Sequence, residues 1–401
     1  MISVTLLGST GSIGQSTLAV LERHPERFRV VSLAARSNAR RMAEQCLRFR
    51  PATAVMENPQ AAAELERLLQ ASGAKVQVAS GAAAITQLAC DPAAEVVMAA
   101  ISGAAGLHST LAAAAAGKRL LLANKEAVVM AGHLLMAALA AGGGTLVPID
   151  SEHNAIFQCL PPGARIGERP AGVRRLLLTA SGGPFLEWTA AAMARATPEQ
   201  ACAHPRWQMG AKISVDSATL MNKGLELIEA QVLFGVNVQD IAVLVHPQSI
   251  VHSLVEFQDG STLAQLGSPD MRTPIAQALA WPARIASGVE FLDLVKAGPL
   301  EFRAPDRARF PCLALAEQAA RAGGMACTWL NAADEVAVQA FLDKQLNFGD
   351  ISAVIAEVMA HMPGGDMKDL DTVLAADRAA RERASACLAA RQRLLSRSVL
   401  A

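Results

Sequence analysis

The feature that most narrows what this chain can become is Gly8-Ser9-Thr10-Gly11-Ser12-Ile13-Gly14, placed directly behind a strand-forming run at 2–7 and directly ahead of a helix-forming stretch. Glycines there let backbone N–H groups approach a pyrophosphate at the helix N-terminus. The spacing is G-x-x-G-x-x-G. With a strand before it and a helix after it, the turn reads as a dinucleotide-binding loop, the alternative being a plain strand-to-helix turn. A chain that prefers NAD would carry an acidic residue at the end of the second strand, to bind the ribose 2′-hydroxyl. Here the segment is Ala34-Ala35-Arg36-Ser37-Asn38, followed by Arg40 and Arg41. Arg36 and Ser37 can neutralise and hydrogen-bond a 2′-phosphate, so NADP is expected over NAD.

At 401 residues the chain exceeds what one hydrophobic core usually supports, and about two or three domains are expected. Candidate strands at 2–7, 29–33, 76–78, 95–101, 119–122 and 145–149 alternate with Ala-rich helical stretches. That is the pattern of a doubly wound, Rossmann-like parallel sheet covered by helices, assigned to residues 1–150. Residues 151–281 read as a central α+β domain, with strands at 242–245 and 250–257 and a turn at Gln258-Asp259-Gly260. Within it, 181–211 is an excursion flanked by Gly182-Gly183 and Gly210, with helical composition at 189–203. We read it as a lid, with Trp207 as its large apolar contact. Residues 282–311, rich in Pro, Gly and Arg, make a linker. Residues 312–401 hold helical stretches at 313–322, 328–343, 350–361 and 371–396, a C-terminal four-helix bundle. The fold class expected is α/β overall.

Charge excludes some partners. Acidic and basic residues balance at 36 each, so nothing points to nucleic acid or to an anionic membrane. The most apolar stretch, 127–141, falls short of the roughly 20 residues a bilayer span needs and contains Gly132 and His133, so it reads as a buried helix. The chain runs from Met1 straight into the first strand without a leader pattern, and a cytoplasmic location is expected. The 7 cysteines, Cys46, Cys90, Cys159, Cys202, Cys312, Cys327 and Cys387, show no Cys-x-x-Cys spacing, as expected of reduced, packed thiols.

Two acidic clusters suggest a cation. Asp150-Ser151-Glu152-His153-Asn154 follows the strand at 145–149, at the sheet edge where open α/β folds bind ligands. If strand geometry continues to Glu152, Asp150 and Glu152 share a face. Hard oxygen-ligand ions such as Mg²⁺ or Mn²⁺ suit such carboxylates better than zinc does. Asn222-Lys223-Gly224-Leu225-Glu226 offers a third carboxylate beside groups suited to phosphate. His153 reads as a supporting or packing residue.

The full motif series is similar to the 1-deoxy-D-xylulose 5-phosphate reductoisomerase family. It comprises the glycine loop, Leu122-Ala-Asn-Lys-Glu126, Asp150-Ser-Glu-His-Asn-Ala-Ile-Phe157, Ser181-Gly-Gly-Pro-Phe185 and His204-Pro-Arg-Trp-Gln-Met-Gly210. It continues with Lys212-Ile-Ser-Val-Asp-Ser-Ala-Thr219, Met221-Asn-Lys-Gly-Leu-Glu226 and His246-Pro-Gln-Ser249. The resemblance covers Gly8 to Cys312 and extends to the helical tail. It implies conversion of 1-deoxy-D-xylulose 5-phosphate to 2-C-methyl-D-erythritol 4-phosphate with NADPH and a divalent metal (Mg, Mn or Co), in the non-mevalonate isoprenoid pathway, by a homodimer. It also implies roles. Asp150, Glu152 and Glu226 would hold the metal. Lys125, Ser151 and Glu152 would meet substrate oxygens. Ser181, His204, Ser217, Asn222 and Lys223 would hold the phosphate. The cofactor would be met by Thr10, Gly11, Ser12, Ile13, Arg36, Ser37, Asn38, Asn124, Glu126 and Gly210. The chain departs from the family's frequent residues at Arg36, at Leu220 (often Met) and at Asp334 (often Asn).

Three other readings compete with this one. The chain has no Tyr, which removes the Tyr-Lys proton donor of short-chain dehydrogenases. A semialdehyde-type dehydrogenase would need a cysteine nucleophile, for which Cys159 is the candidate. An NADP-sensing regulator would have no use for three carboxylates and a phosphate cluster.

Overall fold

Strand β1 (Ile2–Leu7) is fully buried beyond its first residue, and its apolar run suits a strand covered on both faces. It lies at the centre of a seven-stranded, all-parallel sheet of order β4-β3-β2-β1-β5-β6-β7. The other strands are β2 (Phe28–Ala35), β3 (Thr53–Met56), β4 (Gln77–Ser80), β5 (Val96–Ala99), β6 (Arg119–Leu122) and β7 (Thr145–Pro148). Strand order reverses between β1 and β5, and the glycine loop leaves β1 at this switch point, where doubly wound sheets bind ligands. The structure is a computed structural model that describes residues 1–207 and 209–399, with side chains to 393.

The chain divides into two compact units. The first comprises Met1–Val128, Gly132–Gln158 and Asp270–Phe291; the second comprises Val129–Ala131, Cys159–Pro269 and Leu292–Ala401. The core of the first unit joins sheet residues such as Val4, Leu6, Leu33, Met98 and Leu121 to Ile275 and Leu279 of the Arg272–Ala280 helix. Asn154 secures that helix by donating to Pro148 O at 2.9 Å and to Gln277 Oε1 at 2.8 Å. The stretch read as a linker is thus partly built in: His24 Nε2 lies 2.8 Å from Ala286 O, within the first unit.

The second unit holds a four-stranded sheet of order β11-β10-β8-β9, from β8 (Val173–Ala180), β9 (Ile241–Val245), β10 (Val251–Phe257) and β11 (Thr262–Leu266). β8 and β9 run parallel, because the helices Ala211–Thr219 and Met221–Phe234 intervene as a crossover; the other pairs are antiparallel. The four C-terminal helices are Pro311–Ala322, Met325–Leu342, Ile351–Met359 and Leu370–Val399. Residues 189–203 form two short helices, Ala190–Met193 and Pro198–Cys202; a capping box at Thr197 and Gln200 starts the second.

One geometric expectation is corrected. β7 stops at Pro148, and Ser151–Cys159 is helical, so Asp150 and Glu152 do not share a strand face. The helix Lys125–Gly142 has the length and apolarity of a membrane span, but Ala127–Ala131 and Leu135 are buried, as in a core helix.

Candidate active site

The glycine loop is shaped for an anion. Gly8 takes φ +89°, a conformation most side chains avoid, and a Cβ at Gly14 would lie 2.4 Å from Gly8 O and 2.5 Å from Ser9 O. The backbone therefore packs too closely for anything but glycine. Gly8 N and Ser9 N both donate to Ala34 O at 2.9 Å, tying the loop to the end of β2. The Ser12–Glu22 helix begins at Gly11 with neither a side-chain cap nor an acidic residue in its first turn. Its N–H groups and positive dipole end are thereby suited to a phosphate. Gly11 and Ser12 are exposed there, with Thr10 and Ile13 half-buried beside them.

At the end of β2, Arg36, Ser37 and Asn38 are exposed. Arg36 Nε is 3.8 Å from Glu57 Oε2, a solvent-exposed pair of little energetic weight. The Asn38 and Asn124 side chains have structural tasks. Asn38 accepts from Arg41 N at 3.1 Å to cap its helix; buried Asn124 accepts from Ala127 N at 3.1 Å and donates to Gly103 O at 3.1 Å. Glu126 is buried in the first turn of the helix that Asn124 caps.

A second group gathers after β7, still in the first unit. Asp150 Oδ2 lies 3.1 Å from Lys125 Nζ, and Asp150 Oδ1 lies 3.1 Å from His153 Nδ1. Asp150 also opens the helix, its carbonyl accepting from Asn154 N at 2.8 Å and its carboxylate from Glu152 N at 3.3 Å. Ser151 Oγ donates to Glu152 Oε2 at 2.5 Å. Lys125, Asp150, Ser151, Glu152 and His153 thus form one contiguous polar cluster, and His153, fully buried, holds the Asp150 carboxylate in place.

The second unit, taken by itself, holds two further polar groups. Leu220, with φ +59°, breaks the helix so that Ala211–Thr219 turns into Met221–Phe234. Beyond the break, Asn222 and Lys223 both donate to the Glu226 carboxylate; Lys223 and Glu226 are buried, and Ser217 lies just before the break. The other group centres on His204, whose Nδ1 accepts from Arg206 N at 3.2 Å and Trp207 N at 2.9 Å. An Nδ1 that accepts leaves the proton on Nε2, which then donates to Ser181 Oγ at 2.8 Å. The Ser181 hydroxyl proton is left to point elsewhere. Burial lowers the His204 pKa below 6.5, so the ring is neutral near pH 7.

His252 went unassigned in the sequence, although it stands six residues after the His246 motif. Its ring is 6.1 Å from Trp207, and burial, opposed by a bond from Gly267 and assisted by His246 and Lys223, brings its pKa to about 4. Cys159 is buried, unlike an accessible nucleophile. Gly210 caps the Ala211–Thr219 helix without a side chain.

Comparison with known proteins decides the family. The family model for 1-deoxy-D-xylulose 5-phosphate reductoisomerase matches residues 4–132, and models of that family's C-terminal domains match 146–234 and 266–383. The 1-deoxy-D-xylulose 5-phosphate reductoisomerase of Cupriavidus pinatubonensis is 57% identical over 97% of this chain and 98% of its own. The chain belongs to this family. The Pseudomonas putida relative is 56% identical over 94% of this chain and 96% of its own. Among solved structures, a DOX-P reductoisomerase in complex with NADPH, fosmidomycin and magnesium is 46% identical with a TM-score of 0.91, covering 97% of this chain and 98% of that one. The Zymomonas mobilis enzyme in complex with NADPH is 46% identical with a TM-score of 0.90, covering 96% and 98%.

Proposed function

We propose that this chain rearranges and reduces 1-deoxy-D-xylulose 5-phosphate to 2-C-methyl-D-erythritol 4-phosphate, using NADPH and a divalent metal, in isoprenoid biosynthesis. The match to relatives of that activity over nearly the whole of both chains carries this reading. The residues fit both bound groups. The uncapped helix behind Gly8–Gly14 suits a pyrophosphate, with Thr10, Gly11, Ser12 and Ile13 at its mouth and Arg36 and Ser37 placed for a 2′-phosphate. Asn38, Asn124, Glu126 and Gly210 complete the proposed cofactor contacts, the two asparagines through the backbone they shape. Asp150, Glu152 and Glu226 offer the all-oxygen donor set that magnesium or manganese takes.

A bound divalent cation supplies Lewis-acid stabilisation of charge on the substrate oxygens, worth several kcal/mol. The chain's own residues do the rest. Lys125 and Ser151 present donors beside the carboxylates, and His153 fixes the orientation of Asp150. Ser181, Ser217 and Asn222 give directional donors to the phosphate, Lys223 gives charge, and His204 holds the Ser181 hydroxyl oriented. Trp207 covers the substrate from the lid. Binding energy from the remote phosphate then helps to organise the reacting centre. A cytoplasmic, reducing setting belongs to this reading, supported by 7 cysteines that show no Cys-x-x-Cys spacing.

The test is NADPH oxidation with 1-deoxy-D-xylulose 5-phosphate, with Mg²⁺ present, with chelator added, and in a Glu226→Gln variant. Turnover by the wild type, abolished by chelator and by the substitution, is expected. Wild type that binds NADPH yet leaves it unoxidised would sink the reading in favour of a cofactor sensor.

A further inference from the structure

The Ala211–Thr219 helix carries Ser217 and leads through Leu220 to Asn222, Lys223 and Glu226, so its seating decides where several phosphate-binding groups stand. What seats it is a buried ion cluster. Lys212 Nζ lies 2.6 Å from Asp216 Oδ2, one turn along the same helix, and 3.0 Å from Asp334 Oδ2 on the Met325–Leu342 helix. Side-chain exposure is 2% for Asp216 and 0% for Asp334. Two buried carboxylates thus converge on one ammonium group. The Lys212–Asp334 contact is a charge contact without good hydrogen-bond alignment; Asp216 Oδ1 and both Asp334 oxygens have no hydrogen-bond partner among the described residues. One proton held between the two carboxyls engages one oxygen of each, two of these three, and removes the excess negative charge, since adjacent buried carboxylates resist joint ionisation.

Among the described residues, Lys212 is the cation paired with both carboxylates. Cys312, on the Pro311–Ala322 helix, keeps its thiol protonated through burial and the nearby Asp334 and Asp216. Glu335, beside Asp334, is engaged by Arg381 at 2.5 Å, and Arg381 also holds Asp377 at 2.7 Å on the Leu370–Val399 helix. Thr219 links Asp216 to the helix break: its hydroxyl donates to Asp216 O at 3.1 Å and accepts from Met221 N at 3.3 Å.

We propose that Asp334 is a positioning residue for the phosphate end of the substrate: through Lys212, and through a proton shared with Asp216, it locks the Ala211–Thr219 helix and therefore Ser217 onto the helical bundle. This rests on the assignment of Ser217 to the phosphate. Burial, with mutual repulsion at Asp216, raises both carboxyls above the ordinary aspartate value of 3.8 despite the opposing pull of Lys212. A carboxyl raised in the folded state contributes stability that is fully present below 3.8 and is lost as pH rises through the raised value. Loss of the shared proton leaves two anions on one cation and loosens the helix.

The experiment measures kcat and KM for both substrates from mildly acidic to alkaline pH in wild type, Asp334→Asn and Asp334→Ala. In wild type, KM for the sugar phosphate is expected to rise by about tenfold per pH unit once the shared proton leaves, the one-proton limit, with KM for NADPH steady. Asp334→Asn, which cannot lose that proton, is expected to flatten the rise relative to wild type. Asp334→Ala is expected to raise KM for the sugar phosphate by about tenfold at neutral pH, or about 1.4 kcal/mol. If the alanine variant does not fold, the asparagine variant decides. Superimposable wild-type and Asp334→Asn profiles, or effects on NADPH instead, would overturn the positioning role while leaving the reaction intact. Wild type without turnover would overturn the functional reading, and this proposal with it.

Discussion

Lys223 and Glu226 are both buried and paired one helical turn apart, with Asn222 donating to the same carboxylate. Removing one partner of a buried pair exposes the other to an uncompensated desolvation cost of about 3–5 kcal/mol. Because Lys223 also supplies charge for the phosphate, Lys223→Ala is expected to lower kcat/KM by at least about a hundredfold, roughly 2.7 kcal/mol. A near-normal value would remove Lys223 from the site. His204 makes a different prediction. Its Nδ1 accepts two backbone N–H groups, so protonation there destroys both bonds. Folding therefore favours the neutral ring. The resulting stability is fully present above 6.5 and is lost as pH falls through the lowered folded value. Nitrogen-15 NMR is expected to show the Nε2-protonated tautomer and a midpoint below 6.5; a midpoint at or above that value would contradict the arrangement.

Among the elements, the β1 turn is the most exacting. Replacing Gly14 by Ala places a Cβ against two carbonyl oxygens of the same turn, and the backbone must move just where N–H groups face the pyrophosphate. Gly14→Ala is expected to weaken NADPH binding by at least about tenfold, or about 1.4 kcal/mol, in a fluorescence titration; unchanged affinity would mean that the turn does not carry the cofactor. That turn was legible because its signal is local: strand, glycines and helix lie within a few residues. The same holds for β1 and β6, found with the bounds expected. β3 escapes the sequence reading because Thr53–Met56 lies between two helix-forming stretches that mask its short apolar run. β8 begins Val173-Arg-Arg, which broke the apolar run, and β11 is an exposed edge strand with weak alternation. The condition that strand geometry continues to Glu152 fails because Asp150 is a good helix-capping residue, and that capping signal, weighted above the preceding strand, places the helix.

Across the whole molecule, the site residues legible in sequence were those within short motifs, while the Lys212–Asp216–Asp334 cluster was not, because its members come from helices far apart in the chain. Assembly poses the same difficulty. In the second sheet β10 is paired on both sides, so edge pairing with another chain would fall elsewhere. On β9, Val245 exchanges two backbone hydrogen bonds of 2.8 Å with Arg303, which partly closes that edge. β11 pairs on one side only among the described residues and carries Leu263 at 51% exposure. Natural proteins rarely leave an apolar edge strand uncovered, because it templates pairing with another chain. We propose that a second copy covers β11. Light scattering is then expected to give twice the 41.9 kDa chain mass, and Leu263→Lys to shift the population towards monomer without loss of fold, since Leu263 contributes little to the core. A wild-type monomer would overturn the dimer, whereas a dimer indifferent to Leu263→Lys would move its interface away from β11.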